Sequence, residues 1–189
     1  MMNLLNEILR HNREFLESSV QEHGDTPPTV SKVPTREIAI LTCMDTRLVN
    51  FMEQALGIER GHAKVIKSAG NSISGMFDSV VRSLLVSIYE LGVSEIFVIG
   101  HYECGMAKTT SESLTKAMLS RGVVPEAIQM VRHELEHWAD GFSHPVDNVQ
   151  ETVSMLRMNP LIPKDVAVHG LMIHPNSGEV EVVEVGYEL

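Results

Sequence analysis

Cys43 and Cys104 are the two cysteines of this chain, and each stands in a dense polar cluster. One cluster is Cys43-Met44-Asp45-Thr46-Arg47; the other is His101-Tyr102-Glu103-Cys104-Gly105. Two thiolates and an imidazole are ligand types that zinc favours, and three protein ligands leave a fourth tetrahedral position for water or substrate. That is the ligand count of a catalytic zinc centre rather than a structural one. A lone cysteine is ordinarily a small buried hydrophobe. Here His101 and Cys104 are three residues apart, and Cys43 ends a separate strand-like run, so Cys43, His101 and Cys104 read together as a Zn2+ site.

Asp45 and Arg47 extend the reading. Asp45 is two residues from a proposed thiolate and can swing towards the metal as a fourth ligand. Arg47 can instead hold that carboxylate through a bidentate fork. An ordinary salt bridge bracing a loop would use the same two residues. The functional expectation is a gate, closed when Asp45 binds zinc and open to water when Arg47 holds Asp45.

These groups need a scaffold. Ile38-Ala39-Ile40-Leu41 reads as a short buried strand ending at Cys43, and Ala63-Lys64-Val65-Ile66 as a second, ending in Ser68-Ala69-Gly70-Asn71. Ile96-Phe97-Val98-Ile99 shows no polar alternation, so both its faces are expected to be buried; it ends at Gly100-His101. Residues 3–20 carry Leu4, Leu5, Ile8, Leu9, Phe15 and Leu16 at helical spacing. Gly24-Asp25-Thr26-Pro27-Pro28 and Pro34 then mark a linker.

Residues 76–91 form the clearest helix, with Phe77, Val80, Val81, Leu84, Leu85, Ile88 and Leu91 on one face. Further helical patterns run over 111–120, 125–139 and 146–158. Residues 166–173 and 180–183 flank Asn176-Ser177-Gly178 and read as a closing hairpin. Strands alternating with helices give an α/β class: a mainly parallel central sheet flanked by helices, with an N-terminal helical arm and a C-terminal hairpin. Residues 1–189 are expected to make one domain, with 1–35 as the arm and linker. In such sheets sites form beyond the carboxyl ends of the strands. Cys43, Gly70-Asn71 and His101 each follow one of those ends.

Composition narrows the partners. The chain has 189 residues, 43% of them apolar, and a formal net charge of −10. That charge argues against nucleic acid or an anionic membrane as partner, since both need clustered basic residues. No run approaches the roughly 18 apolar residues of a membrane span, and the N-terminus lacks the pattern of a secretory signal. A cytoplasmic location, where thiols stay reduced, is the expectation.

Cys43-Met44-Asp45-Thr46-Arg47, Ala69-Gly70-Asn71 and His101-Tyr102-Glu103-Cys104-Gly105, in this order, resemble a β-class carbonic anhydrase, most of all its small, archaeal-type branch. The resemblance runs from about residue 36 to the final hairpin. It implies reversible hydration of carbon dioxide to bicarbonate by zinc-bound hydroxide. It gives the zinc to Cys43, His101 and Cys104, the dyad role to Asp45 and Arg47, and a place beside the substrate to Gly70, Asn71 and Gly105. It also implies a homodimer or a larger homo-oligomer. Two positions depart from the common pattern: Thr46 stands where serine is frequent, and Pro34 stands about where plant-type members place a glutamine. Some relatives with the same ligands hydrolyse carbon disulfide or carbonyl sulfide, and the ligand set does not separate these substrates. A zinc-binding homologue without turnover would also keep these ligands.

A rival motif is His133-Glu134-Leu135-Glu136-His137, which matches the H-E-x-x-H signature of zinc proteases. Ile128, Val131, Leu135 and Trp138 define the apolar face of that helix. At about 100° per residue His133 and His137 fall on the opposite side. A solvated face is expected, and a protease would leave the two thiols unexplained. His169 and His174 lie in the closing strands and are expected to be structural.

Overall fold

A computed structural model of the chain describes residues 3–24 and 28–187. The chain divides between Ser31 and Lys32 into two units, four residues before the expected end of the arm and linker. The first unit holds one helix, α1 (Leu4–His23). The Asn3 side chain caps it by accepting from the Asn6 N–H at 2.9 Å, satisfying one of the donors that every helix start leaves unpaired. Arg10 and Glu14, one turn apart, form an ion pair at 2.6 Å. Leu4, Leu5, Ile8, Leu9, Phe15, Leu16 and Val20 are all exposed. Most of the expected linker at 24–28 lies outside the described residues.

The second unit is built on a five-stranded sheet among the described residues: β1 (Ile38–Cys43), β2 (Ala63–Ser68), β3 (Glu95–His101), β4 (Ala167–Ile173) and β5 (Val180–Glu184). The strand order is β2-β1-β3-β4-β5. β1 pairs in parallel with β2 and β3, and β3 with β4. β5 returns antiparallel on β4, which is the expected hairpin.

Side chains alternate across the sheet with the two-residue period of extended chain. Leu41, Ile96, Val98, Val168 and Met172 enter one core, roofed by α3 (Ser79–Tyr89) through Val81 and Leu84 and by α7 (Pro145–Met158) through Val149, Val153 and Leu156. Ile40, Ile99 and Ile173 enter the other core, closed by Leu48, Met52 and Phe142. Burial on both faces explains why the central stretches of β1 and β3, Ile38–Leu41 and Ile96–Ile99, read as continuous apolar runs.

Helix boundaries follow local chemistry. The Asp78 side chain caps α3, accepting from the Val81 N–H at 2.8 Å. Phe77 therefore precedes the helix, and it is exposed rather than part of the buried face. The helix expected over 125–139 is two: α5 (Pro125–Met130) and α6 (Arg132–Gly141), broken at Val131 with φ −115°. β-branched Val131 is exposed and has no core contact to hold it in helical geometry. α2 (Phe51–Ala55) has five residues and no side-chain cap, so no periodicity announces it. α4 (Ser111–Ser120) matches its expected bounds and opens with a reciprocal cap between Thr110 and Ser113. No helix among the described residues is long and apolar enough to cross a membrane.

Candidate metal centre

The parallel register places two strand ends side by side. Thr42 of β1 pairs with Ile99 of β3, so Cys43 and His101 leave adjacent strands at the same edge. The chain turns after His101 and brings Cys104 back beneath it. The ligand atoms of Cys43, His101 and Cys104 all lie within 4.8 Å of one another, and all three residues are buried. The two sulfurs are 3.9 Å apart, far beyond the roughly 2.05 Å of a disulfide, and both cysteines are free.

The histidine is set as a ligand should be. Its Nδ1 lies 2.9 Å from the Tyr102 carbonyl oxygen, a contact that only an Nδ1–H can satisfy, so the Nε2 lone pair is left for another partner. That Nε2 is buried and has no hydrogen-bond partner. An orphaned buried nitrogen is costly in an apolar surrounding. Directed at two thiol sulfurs, it is what a soft or borderline cation needs, so the donor set fits zinc. Among the described residues, no other group of three such donors lies close enough to hold a metal.

The two thiols interact strongly. Hydrogen bonding to Cys104, aided by the Gly70 and Asp45 N–H groups, holds Cys43 far below the ordinary thiol range despite its burial. The same contact, with burial, pushes Cys104 upward. A bound cation would favour the thiolate form of both. Burial pulls the His101 pKa down, but interaction with the Cys43 sulfur, the Tyr102 carbonyl and Asp45 outweighs it, and the net direction is up.

Asp45 sits at the lip of this cluster, with Oδ2 3.7 Å from His101 Nε2. It is held away from it by Arg47. Arg47 Nε donates to Oδ1 at 3.0 Å and Nη2 to Oδ2 at 2.9 Å, the parallel fork expected of these residue types. The Arg47 backbone N–H adds a third bond to Oδ1 at 2.9 Å. The Arg47 hydrogen bond accordingly lowers the Asp45 pKa to about 2. The carboxylate is ionised and accepts only.

Gly70 and Asn71 form a short turn after β2 and are both buried. Gly70 has φ +69°, and a Cβ there would stand 2.6 Å from Phe142 Cε2; only glycine meets both conditions. Asn71 donates from Nδ2 to Asn148 Oδ1 at 2.9 Å, and Asn148 donates to Ser72 Oγ at 3.0 Å. Asn71 thus braces the loop against α7. Gly105 is exposed, with open space where a side chain would begin.

Three contributors escaped sequence reasoning. Glu103 accepts from Arg47 Nη1 at 3.2 Å through its carboxylate. Asn148 and Phe142 support the Gly70–Asn71 turn from distant parts of the chain. The left-handed φ of +57° at Glu103 has no signature in a glutamate. His133 and His137 are exposed, as the helical phase predicts, and line a cavity of about 380 Å³ with Trp138, Asn148 and Glu151. His169 is buried, stacks on Phe97 at 4.7 Å and accepts the Gly186 N–H at 3.1 Å, a structural placement.

The carbonic anhydrase family model matches residues 38–180. The chain belongs to this family, in its β class. A crystal structure of the β-carbonic anhydrase isoform TvaCA1 from Trichomonas vaginalis is 48% identical, covers 98% of this chain and 100% of its own, and superposes with a TM-score of 0.93. YvdA of Bacillus subtilis (strain 168), itself assigned only provisionally as a carbonic anhydrase, is 41% identical over 187 residues, 97% of this chain and 93% of YvdA. A carbon disulfide hydrolase from Acidianus sp. (strain A1-3) is 30% identical over 174 residues, 83% of each chain. The mainly parallel sheet and its helices are thus the β-carbonic anhydrase fold.

Proposed function

We propose that this chain catalyses the reversible hydration of carbon dioxide to bicarbonate and a proton, with zinc held by Cys43, His101 and Cys104. The observation that carries the reading is the convergence of three buried donors beside a carboxylate held by arginine, in a carbonic anhydrase family member. Zinc supplies Lewis acidity, which lowers the pKa of water enough to give a nucleophile at neutral pH.

The protein's own residues do the rest. His101 is fixed in one tautomer by the Tyr102 carbonyl and cannot rotate away. Asp45, ionised and aimed at the cluster, accepts a hydrogen bond from the attacking water and orients its lone pair towards the substrate carbon. Arg47 holds both Asp45 oxygens, which keeps the carboxylate from taking the ligand position itself. The Gly70–Asn71 turn and Gly105 border the place where a small linear substrate reaches the nucleophile.

We take the protein to act as a homodimer or larger homo-oligomer, a reading supported by the exposed apolar residues along α1. A cytoplasmic location suits a site that needs both thiols reduced. Stopped-flow carbon dioxide hydration by the zinc-loaded protein tests the activity. The carbon disulfide hydrolase relative motivates the second reading, hydrolysis of carbon disulfide or carbonyl sulfide at the same site. Sulfide release that outpaces carbon dioxide hydration would establish that second reading over the first.

A further inference from the structure

Arg47 is an exposed, flexible side chain given a task that needs a fixed position. Its side chain is 36% exposed, and a free arginine loses considerable rotamer entropy when pinned. Asp45 alone holds one edge of the guanidinium, through Nε and Nη2. The opposite edge is held by one residue. Glu103 takes Nη1 on its carboxylate at 3.2 Å and Nη2 on its backbone carbonyl at 3.1 Å.

Among the described residues, the Glu103 carboxylate has no partner besides Arg47. The Glu103 side chain is 69% exposed, so it packs into nothing. Its backbone is left-handed, with φ +57°, a region that L-residues other than asparagine and aspartate seldom adopt. Glycine would suit that backbone better. Between His101 and Cys104, that conformation lets both the carbonyl and the carboxylate of Glu103 meet Arg47. The left-handed turn aims the Glu103 carbonyl at Arg47, and the glutamate side chain is long enough to reach round to Nη1. Asparagine or aspartate, the usual non-glycine choices, are one methylene shorter.

We propose that Glu103 is a positioning residue for the reaction: it clamps the far edge of Arg47 so that Arg47 keeps hold of Asp45. The inference rests on the carbonic anhydrase reading above. Without the clamp Arg47 moves more freely, and Asp45, already 3.7 Å from His101 Nε2, is released towards the cluster it must stay clear of. Exposed ion pairs are weak, so the effect on turnover is about two- to fivefold rather than complete.

Glu103→Gly is the informative variant, because it removes the carboxylate while easing the backbone and keeping the carbonyl. The zinc-loaded protein is measured three ways: carbon dioxide hydration, hydrogen exchange of the Arg47 Nε–H by NMR, and thermal melting. The clamp predicts kcat/KM down about two- to fivefold, faster Arg47 Nε–H exchange, and a Tm equal to or above wild type. Glu103→Gln, whose amide oxygen still accepts from Nη1, falls between the two on the first two measurements. A lower Tm for Glu103→Gly would make Glu103 a structural residue and overturn the proposal. Unchanged Arg47 exchange, or unchanged kcat/KM with faster exchange, would overturn it as well. If wild type shows no carbon dioxide hydration, the activity reading fails by itself, and the Arg47 exchange still decides whether Glu103 holds Arg47.

Discussion

Gly70→Ala tests whether the turn beside Cys43 is as tightly specified as it looks. Two costs apply at this position. The backbone φ is +69°, and placing a Cβ in the left-handed region costs about 1–2 kcal/mol. The new Cβ would also stand 2.6 Å from Phe142 Cε2 and 3.1 Å from Met106 Cγ. Phe142 is buried and cannot swing out to solvent, so overpacking adds about 1–3 kcal/mol. Gly57 supplies the control. Its φ is +63°, yet nothing lies within 4 Å of its would-be Cβ, so Gly57→Ala carries the backbone cost alone. The two variants should therefore differ by about 1–3 kcal/mol in urea unfolding. Both must be measured at one protein concentration, since any assembly shifts apparent stability. Gly70→Ala should also weaken metal retention, because the displaced turn follows directly on Ser68, the β2 partner of Cys43; Gly57→Ala should not. Equal destabilisation by the two substitutions would refute the packing argument.

Cys43→Ser, His101→Ala and Cys104→Ser should each release the metal, and stoichiometric zinc retained in any of them by elemental analysis would remove that residue from the ligand set. Asp45→Asn should keep zinc but lose turnover by about 10²-fold, the scale of misplacing a reacting group; near-normal kcat would end its assigned role. His169 supplies a pH dependence of stability: burial is the largest influence on it and its pKa is lowered in the folded state. A depressed histidine favours the neutral folded form, so its contribution is full above the unfolded value of about 6.5 and is lost as pH falls through the folded pKa. Protonation would also cost the Gly186 N–H its acceptor at Nδ1. His169→Gln should flatten the stability profile between about pH 7.5 and 5, and an unchanged slope would show that His169 does not set it.

Much of the scaffold was legible because its physics is local. The β1, β3 and β4 runs are mostly apolar without regular alternation, the pattern of a strand buried on two faces. Cys43, His101 and Cys104 were legible as a set because thiols are scarce in the chain, Cys43 and His101 each end a strand, and Cys104 follows His101 by three residues. What escaped depends on tertiary structure. The break at Val131 leaves no proline or glycine to announce it, and α2 is too short for periodicity. Phe77 completes a helical stripe in the sequence but falls before the Asp78 cap. Asn148 meets Asn71 across 77 positions, a pairing no spacing rule reaches. Glu103 was visible as a charge in the motif, but its grip on Arg47 follows from a left-handed backbone that glutamate rarely takes.

The account stands on the composition of one coordination sphere. Zinc K-edge absorption of the loaded wild-type protein measures it directly. The structure predicts two sulfur scatterers at about 2.3 Å and two nitrogen or oxygen scatterers at about 2.0–2.2 Å, the sulfurs being those of Cys43 and Cys104. A sphere of nitrogen and oxygen alone would place the metal elsewhere and contradict the account.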